Sequence, residues 1–291
     1  KKYSPKQRLW YIRAKEVIIS TGSIERPIVF GNNDTPGVVL SSAAKEYLKV
    51  YGVLVGKKPL IFTNNDSAYE TAIEFKKNGI TPIVLDSRSN PESEIINEAQ
   101  NLDIEIKFSH VVVAANGYKK VKSAQIAKIS EDKKNLINTY NIACDCICVS
   151  GFWTPTIHLA SQSGNKTKYN ENIDAFVPHK PKQAETTLGS ANGVFTLEET
   201  LKTSFETANE LSKKITNKEN KISIPQVSEK KSSSHDKFWC VPLPSGKSYK
   251  RFLDFQNDVT VSDVELALRE GYRSIEHVKR YTTLGMATDQ G

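Results

Sequence analysis

The stretch Pro59–Asp86, PLIFTNNDSAYETAIEFKKNGITPIVLD, has the layout of a dinucleotide-binding strand–turn–helix–strand unit but carries none of that unit's turn glycines. In the glycine fingerprint the first glycine makes the tight turn, the second admits a pyrophosphate to the backbone, and the third lets helix pack on strand. Here those places fall on Thr63, Asn65 and Ala68. The rest of the register holds: an apolar strand Leu60–Phe62, a helix entered through Glu70 and Ala72 and closed by Gly79, and a second strand Ile83–Leu85. Asp86 then stands where a ribose-binding acid belongs. Asn64 and Asn65 tolerate left-handed backbone, so the turn is feasible without glycine. Asp66 puts a carboxylate beside the helix N-terminus, where it competes with a phosphate for the same amides and dipole. The expectation is a nucleotide-type fold whose phosphate site is filled by its own side chain. A plain βαβ unit that never bound a nucleotide is the other reading of the same residues.

With 291 residues, 38% hydrophobic and 25% charged, the chain has the length for two domains and the composition of a globular protein. No apolar run approaches membrane-spanning length and no signal-peptide layout opens the chain, so a cytoplasmic protein with no membrane partner is expected. The sequence opens on Lys1 and its sole methionine is Met286, which suggests a piece of a longer polypeptide. The net charge of +7 is concentrated in the low-complexity stretch Ser212–Arg251, which includes Lys213, Lys214, Lys218, Lys221, Lys230, Lys231 and Lys237. A solvated linker is the ordinary reading of such a run, an acidic partner surface the sharper one, and no aromatic-studded stripe points to nucleic acid. Cys144, Cys146 and Cys148 alternate as on one face of a strand, and Cys240 stands apart. That spacing suits neither a disulfide framework nor a metal site, and reduced core thiols are expected.

Along the chain, Lys15–Thr21 reads as a strand running into Gly22, and Ser42–Val50 as a helix. Asp103–Ala115 supplies further strands with a hairpin turn at Gly117, and Ala143–Ser150 another strand. Gly189-Ser190-Ala191-Asn192-Gly193 precedes a helical pattern of Leu197, Leu201, Phe205, Ala208 and Leu211. Such a small-residue loop suits close approach of a cofactor phosphate or ribityl chain, and equally any tight loop-to-helix junction. Phe238–Pro244 reads as extended. Ser262–Glu265 reads as a capping box, followed by an apolar stripe of Val264, Leu268, Tyr272 and Ile275, a stop at Gly271 and a short helix from Ser274 to Tyr281. The expected architecture is α/β: a disulfide-reductase-like pair of nucleotide-binding-type domains followed by a linker and a small helical module. The boundaries are 1–55 and 141–212 for the outer domain, 56–140 for the inserted one, 213–245 for the basic linker and 246–291 for the module.

Several motifs together resemble the alpha subunit of heterotetrameric sarcosine oxidase. They are Thr21-Gly22-Ser23-Ile24-Glu25-Arg26-Pro27, Phe62 to Tyr69, Val149-Ser150-Gly151-Phe152-Trp153, Phe255-Gln256-Asn257-Asp258-Val259-Thr260, and His277 through Gly291, HVKRYTTLGMATDQG. The resemblance implies a complex of alpha, beta, gamma and delta subunits. That complex oxidises the N-methyl group of sarcosine, giving glycine and hydrogen peroxide and passing the one-carbon unit to tetrahydrofolate. It further implies NAD in the alpha subunit, FMN at an interface with the beta subunit, and a folate domain of the alpha subunit that these residues do not include. The chain by itself is then expected to show neither oxidase nor folate chemistry.

The dinucleotide is expected in the outer domain, on Thr21, Gly22, Gly189, Ser190, Ala191, Asn192 and Gly193. Lys279 and Arg280, followed by the hydroxyls of Thr282 and Thr283, form a combination able to hold a flavin phosphate by charge-assisted hydrogen bonds. The alternative is a solvated helix end whose cations favour the C-terminal dipole. His158 and His277 have no visible partner in the sequence, and no catalytic or metal-binding residue is assigned. Competing readings are the alpha subunit of an amine or opine dehydrogenase complex, which typically carries iron–sulfur cysteine motifs that Phe255–Asp258 does not offer, and a non-catalytic scaffold built on nucleotide-type domains.

Overall fold

Residues 5–217, 223–227 and 235–288 are described by the computed structural model of the chain. Lys218, Lys221, Lys230 and Lys231 of the basic stretch, and the end of the C-terminal motif, residues 289–291, lie outside the described residues. The chain divides into two units, one formed by residues 1–24 and 154–229, the other by 25–153 and 230–291.

A parallel sheet of five strands centres the second unit. In chain order its first parts are β1 (Val38–Leu40), α1 (Ser41–Tyr51), β2 (Pro59–Thr63), α2 (Ser67–Lys77), β3 (Ile83–Asp86), α3 (Glu94–Asn101) and β4 (Glu105–Phe108). An antiparallel meander of β5 (His110–Gly117), β6 (Val121–Ile129) and β7 (Leu136–Ala143) follows, and β8 (Cys146–Ser150) returns to the sheet. The order across the sheet is β1-β8-β2-β3-β4. The register places Ser150, Thr63, Asp86 and Phe108 in one row at the carboxyl edge, and Leu40 pairs with Val149, one residue before that row.

Strands β2 and β8 are buried along their whole length because both faces of the sheet are covered. Side chains alternate between faces. Ile61, Val84, Cys146 and Cys148 meet the helices through Ala44, Ala68, Tyr69, Ala72, Phe75 and Ile96. Leu60, Phe62, Leu85, Ile147 and Val149 meet Val111, Val113 and Ile126 of the meander. Each fully buried Leu, Ile or Phe contributes about 1.5–3 kcal/mol. The hairpin at Gly117 forms as expected, and a Cβ there would stand 1.9 Å from the Lys120 carbonyl oxygen.

The inserted unit is larger than the sequence suggested. Residues 25–55 were assigned to the outer domain, but β1 pairs with β8 and Ala44 of α1 packs into the same core as Tyr69. Residues 141–153 likewise include β8, which lies between β1 and β2.

In the first unit Val17–Ile19 pairs in parallel with Glu185–Thr187, and a hairpin joins Lys166–Asn170 to Ala175–Lys180. Helix α4 (Leu197–Thr216) is capped by the Thr196 side chain, which accepts from Glu199 N, and it takes in Lys213 and Lys214, which had been placed in the linker. Among the described residues no helix is long and apolar enough to cross a membrane.

The C-terminal module belongs to the second unit. It contains α5 (Val261–Arg269) and α6 (Ile275–Thr282). The capping box lies two residues earlier than expected: the Asp263 carboxylate accepts from the amide and hydroxyl of Thr260, at 2.8 and 2.7 Å. Thr260 is extended, at φ −108° and ψ 167°, and the helix therefore starts at Val261. Glu265 faces Arg251 instead, at 3.6 Å. The buried residues of the two helices are Ala267 and Val278, joined by Phe252 and Val259 before them, whereas Leu268 and Ile275 of the expected stripe are exposed.

Candidate functional site

In α/β folds ligands gather outside the carboxyl ends of the strands. The first turn there, after β2, is closed by its own polar groups. Thr63 Oγ1 donates to the Asn65 carbonyl and accepts from the Asn65 amide. Asn65 Oδ1 accepts from the amide and hydroxyl of Ser67, at 3.0 and 2.6 Å, and thereby takes up the first helix amide. Asn65 Nδ2 crosses to Ser150 at the end of β8, 3.1 Å from its hydroxyl. The helix N-terminus is thus filled from within, but by Asn65 and not by Asp66. Asp66 occupies the N-cap position in helical conformation and makes no capping bond, because its carboxylate turns to Arg88 at 2.9 Å.

Asp86, in the place of a ribose-binding acid, is fully buried and fully engaged. Its Oδ2 accepts from Tyr69 Oη at 2.8 Å and Arg88 Nη2 at 2.7 Å, and its Oδ1 accepts from the Arg88 amide and Nε. Burial alone would lower the Arg88 pKa, but its hydrogen bonds to Asp86 and the charges of Asp86 and Asp66 outweigh it and hold the guanidinium above its ordinary value. Burial first, and the Asp86 charge second, push the Tyr69 phenol far up. Both acids are therefore paired with one cation from the same chain. Helix α1 is served in the same way: the buried carboxylate of Glu25 accepts from Ser42 N at 2.7 Å.

In the first unit the parallel pairing of Val17–Ile19 with Glu185–Thr187 sends two loops away from the same end. Thr21-Gly22 follows one strand and Gly189–Gly193 the other, with Leu188 N bonded to the Ile19 carbonyl at 2.9 Å. The structure thus brings these expected residues to one edge. Thr21 Oγ1 donates to the Thr156 carbonyl at 2.7 Å. Gly189–Asn192 forms one 3-10 turn around the buried Ala191, and helix α4 starts only at Leu197. Gly22 and Gly189 adopt left-handed backbone, φ 76° and 64°. A Cβ on Gly22 would meet nothing within 4 Å, whereas one on Gly193 would stand 2.8 Å from Ile173 Cδ1. Gly193 is left-handed too, φ 79°, so backbone conformation favours glycine at both Gly22 and Gly193, and at Gly193 a side chain would also press on Ile173.

Lys279 and Arg280 lie in the last turn of α6. The Thr282 hydroxyl donates to the Val278 carbonyl and the Thr283 hydroxyl to the Thr282 carbonyl, so both protons are directed to the backbone. Within the same unit a cavity of about 530 Å³ is lined mainly by apolar groups, among them Phe30, Val38, Leu40 and Leu253, with Asn33 and Asp254 as polar members. Asp254 fastens the neighbouring turns by accepting from the amides of Gln256, Asn257 and Gly285. The Asn257 bond leads a set that holds its carboxyl below the usual range, against the opposing effect of burial.

Residues 248–291 match the sarcosine oxidase A3 domain family. The sarcosine oxidase subunit alpha of Corynebacterium sp. (strain P-1) is 33% identical over 292 aligned residues, covering 98% of this chain and 30% of the relative. The chain is a relative of the sarcosine oxidase alpha subunit. It spans about 30% of the length of the curated relatives it matches. Among solved structures, L-proline dehydrogenase from P. horikoshii superposes with a TM-score of 0.55 at 20% identity, over 96% of this chain and 50% of that one. The flavoprotein disulfide reductase RclA from Escherichia coli gives a TM-score of 0.51 at 16% identity, over 74% and 47%. The fold is thus disulfide-reductase-like.

In this sarcosine oxidase relative, His158 and His277 are exposed, and they stand in different units. Sequence reasoning missed Arg88 and Glu25. The signal for Arg88 was Asp66 and Asp86 at the ends of buried strand and turn, an arrangement that demands a cation.

Proposed function

We propose that the chain supplies the dinucleotide-binding part of the alpha subunit of a cytoplasmic, flavin-dependent sarcosine oxidase. The complex would convert sarcosine, oxygen and tetrahydrofolate to glycine, hydrogen peroxide and 5,10-methylenetetrahydrofolate. The observation that carries this reading is the 33% identity maintained over 98% of the chain. NAD is assigned to the first unit, on Thr21-Gly22 and Gly189–Gly193. The left-handed, open backbone at Gly22 supports that placement, as does the self-filled turn after β2 in the other unit. These residues would bind and orient the dinucleotide; the redox chemistry is the cofactor's own. Lys279 and Arg280 are assigned to the phosphate of FMN at the interface with the beta subunit, with gamma and delta subunits completing the complex. Thr282 and Thr283 would join them by turning their hydroxyls from the backbone carbonyls they now serve.

The test is cofactor content in the complete complex. Ser190→Asp places a carboxylate on the 3-10 turn and should reduce bound NAD at least tenfold with FMN retained. Lys279→Ala with Arg280→Ala should do the reverse. Unchanged content in both would overturn the assignment.

A further inference from the structure

The carboxyl edge of the second unit's sheet has an occupant. Residues Asp236 to Val241 run across it as a strap, turned once where Phe238 N donates to the Asp236 carbonyl at 2.9 Å. Asp236 N donates to the Asn64 carbonyl at 3.0 Å, and Asn64 Nδ2 returns a bond to the Asp236 carbonyl at 2.8 Å. Asn64 is the first residue after β2, where a nucleotide-binding fold presents its turn to the pyrophosphate. Further on, Val29 N donates to the Trp239 carbonyl and Val241 N to the Val29 carbonyl, both at 2.8 Å. Phe238 and Val241 are buried in the cluster that contains Phe62 and Val149. The Arg26 guanidinium lies 3.8 Å from the Trp239 ring centre, and Lys133 pairs with the Asp236 carboxylate at 2.9 Å.

The strap is also tied to the C-terminal module. Arg251 Nη1 donates to the Val241 carbonyl at 3.1 Å, and the Arg251 carbonyl accepts from Val261 N at the start of α5. Next along the chain, Phe252 exchanges two bonds with the buried Asn33, at 2.8 and 2.9 Å.

We propose that the crevice at the carboxyl edge of this sheet serves as the seat for residues 236–241, an intramolecular ligand in the place of a nucleotide, and that seating the strap fixes the C-terminal module to the sheet. Strap backbone satisfies the turn after β2, strap side chains fill the apolar floor, and Arg251 carries the constraint into α5. The unit works as a receptor for its own chain.

The test is amide hydrogen exchange on the complete subunit. In the unaltered protein the amides of Val29, Asp236 and Val241 should exchange at least a hundredfold more slowly than in free peptide. In an Asn64→Ala, Trp239→Ala double variant these amides should speed up about tenfold together with Phe252, Val261 and Gly285, while Val84 and Ile147 in the sheet stay as they were. The single variant Asp236→Ala, which removes only the Lys133 pairing, should move the same set by a smaller factor. Acceleration of the strap with the module unchanged would overturn the anchoring role. Free-peptide exchange of the strap in the unaltered protein, or its acceleration by millimolar ADP-ribose, would overturn the occupancy.

Discussion

Arg88 clasps Asp86 two residues before it, donating from Nε and Nη2 to the two carboxylate oxygens, at 3.0 and 2.7 Å. The remaining edge of the same guanidinium meets Asp66. One cation therefore answers both acids that a nucleotide-binding reading would set aside for a ligand.

Removing that cation leaves two carboxylates in a buried setting. Arg88→Leu is expected to destabilise the subunit by about 3–5 kcal/mol, the usual cost of orphaning a buried ionic partner. Arg88→Lys should recover only part of it, because an ammonium cannot reproduce the two-pronged bond. Urea unfolding followed by far-ultraviolet circular dichroism measures both.

The thiol of Cys144, between β7 and β8, provides a second expectation. Burial, reinforced by Cys146 and Asp145, pushes the Cys144 thiol up to about 12. At pH 8 its reaction with an aromatic disulfide reagent should be slower by about a thousandfold than in the unfolded chain, where thiolate forms near the ordinary value. Its folded pKa is raised, so the proton it retains favours folding fully below the unfolded value, and that contribution falls away as pH rises towards 12. Rapid labelling of Cys144 in the native protein would contradict its burial.

Glu25 behaves in the same direction at the acid end. Burial raises its carboxyl against the opposing bonds from Ser42 and Ser150. The folded state holds this proton more tightly than the unfolded one, so its contribution is fully present below about pH 4.5 and lost as pH rises through the raised value. Glu25→Gln, whose amide oxygen can still accept from Ser42 N, is expected to gain stability at pH 7 relative to the parent. That gain should vanish at pH 4; a gain of equal size at both values would rule out the ionisation as its source.

The strand–turn–helix–strand unit was legible in the sequence because each part has a local signal: an apolar run, polar turn residues, helical spacing and a closing glycine. The failure of the phosphate turn was legible too, from Thr63, Asn65 and Ala68. Which side chain fills it was not, since Asn65 and Asp66 are adjacent acceptors and the choice depends on Arg88 arriving from the next strand. The extent of the inserted unit was hidden for a similar reason. Val38–Leu40 pairs with Ile147–Val149, and nothing local marks a partner that far along the chain. The capping box was misplaced because Thr260 and Ser262 both lead motifs of the right length, and only the extended backbone of Thr260 decides between them. Thr21-Gly22 and Gly189–Gly193 were grouped from the sequence, while the left-handed backbone of Gly193 and its closeness to Ile173 require coordinates.

The exchange of two bonds between Asn33 and Phe252 spans 219 residues of chain. A ribosome adding 5–20 residues per second needs roughly 10–45 s to travel that distance. During that interval Asn33 has no Phe252 to meet, and Val29 awaits Trp239. The sheet must therefore be synthesised, and the whole stretch from 154 to 229 after it, before its last backbone partners exist. Nascent chains stalled before residue 236 should be the form most readily held by chaperones, and emergence of residues 236–288 should mark the moment of commitment.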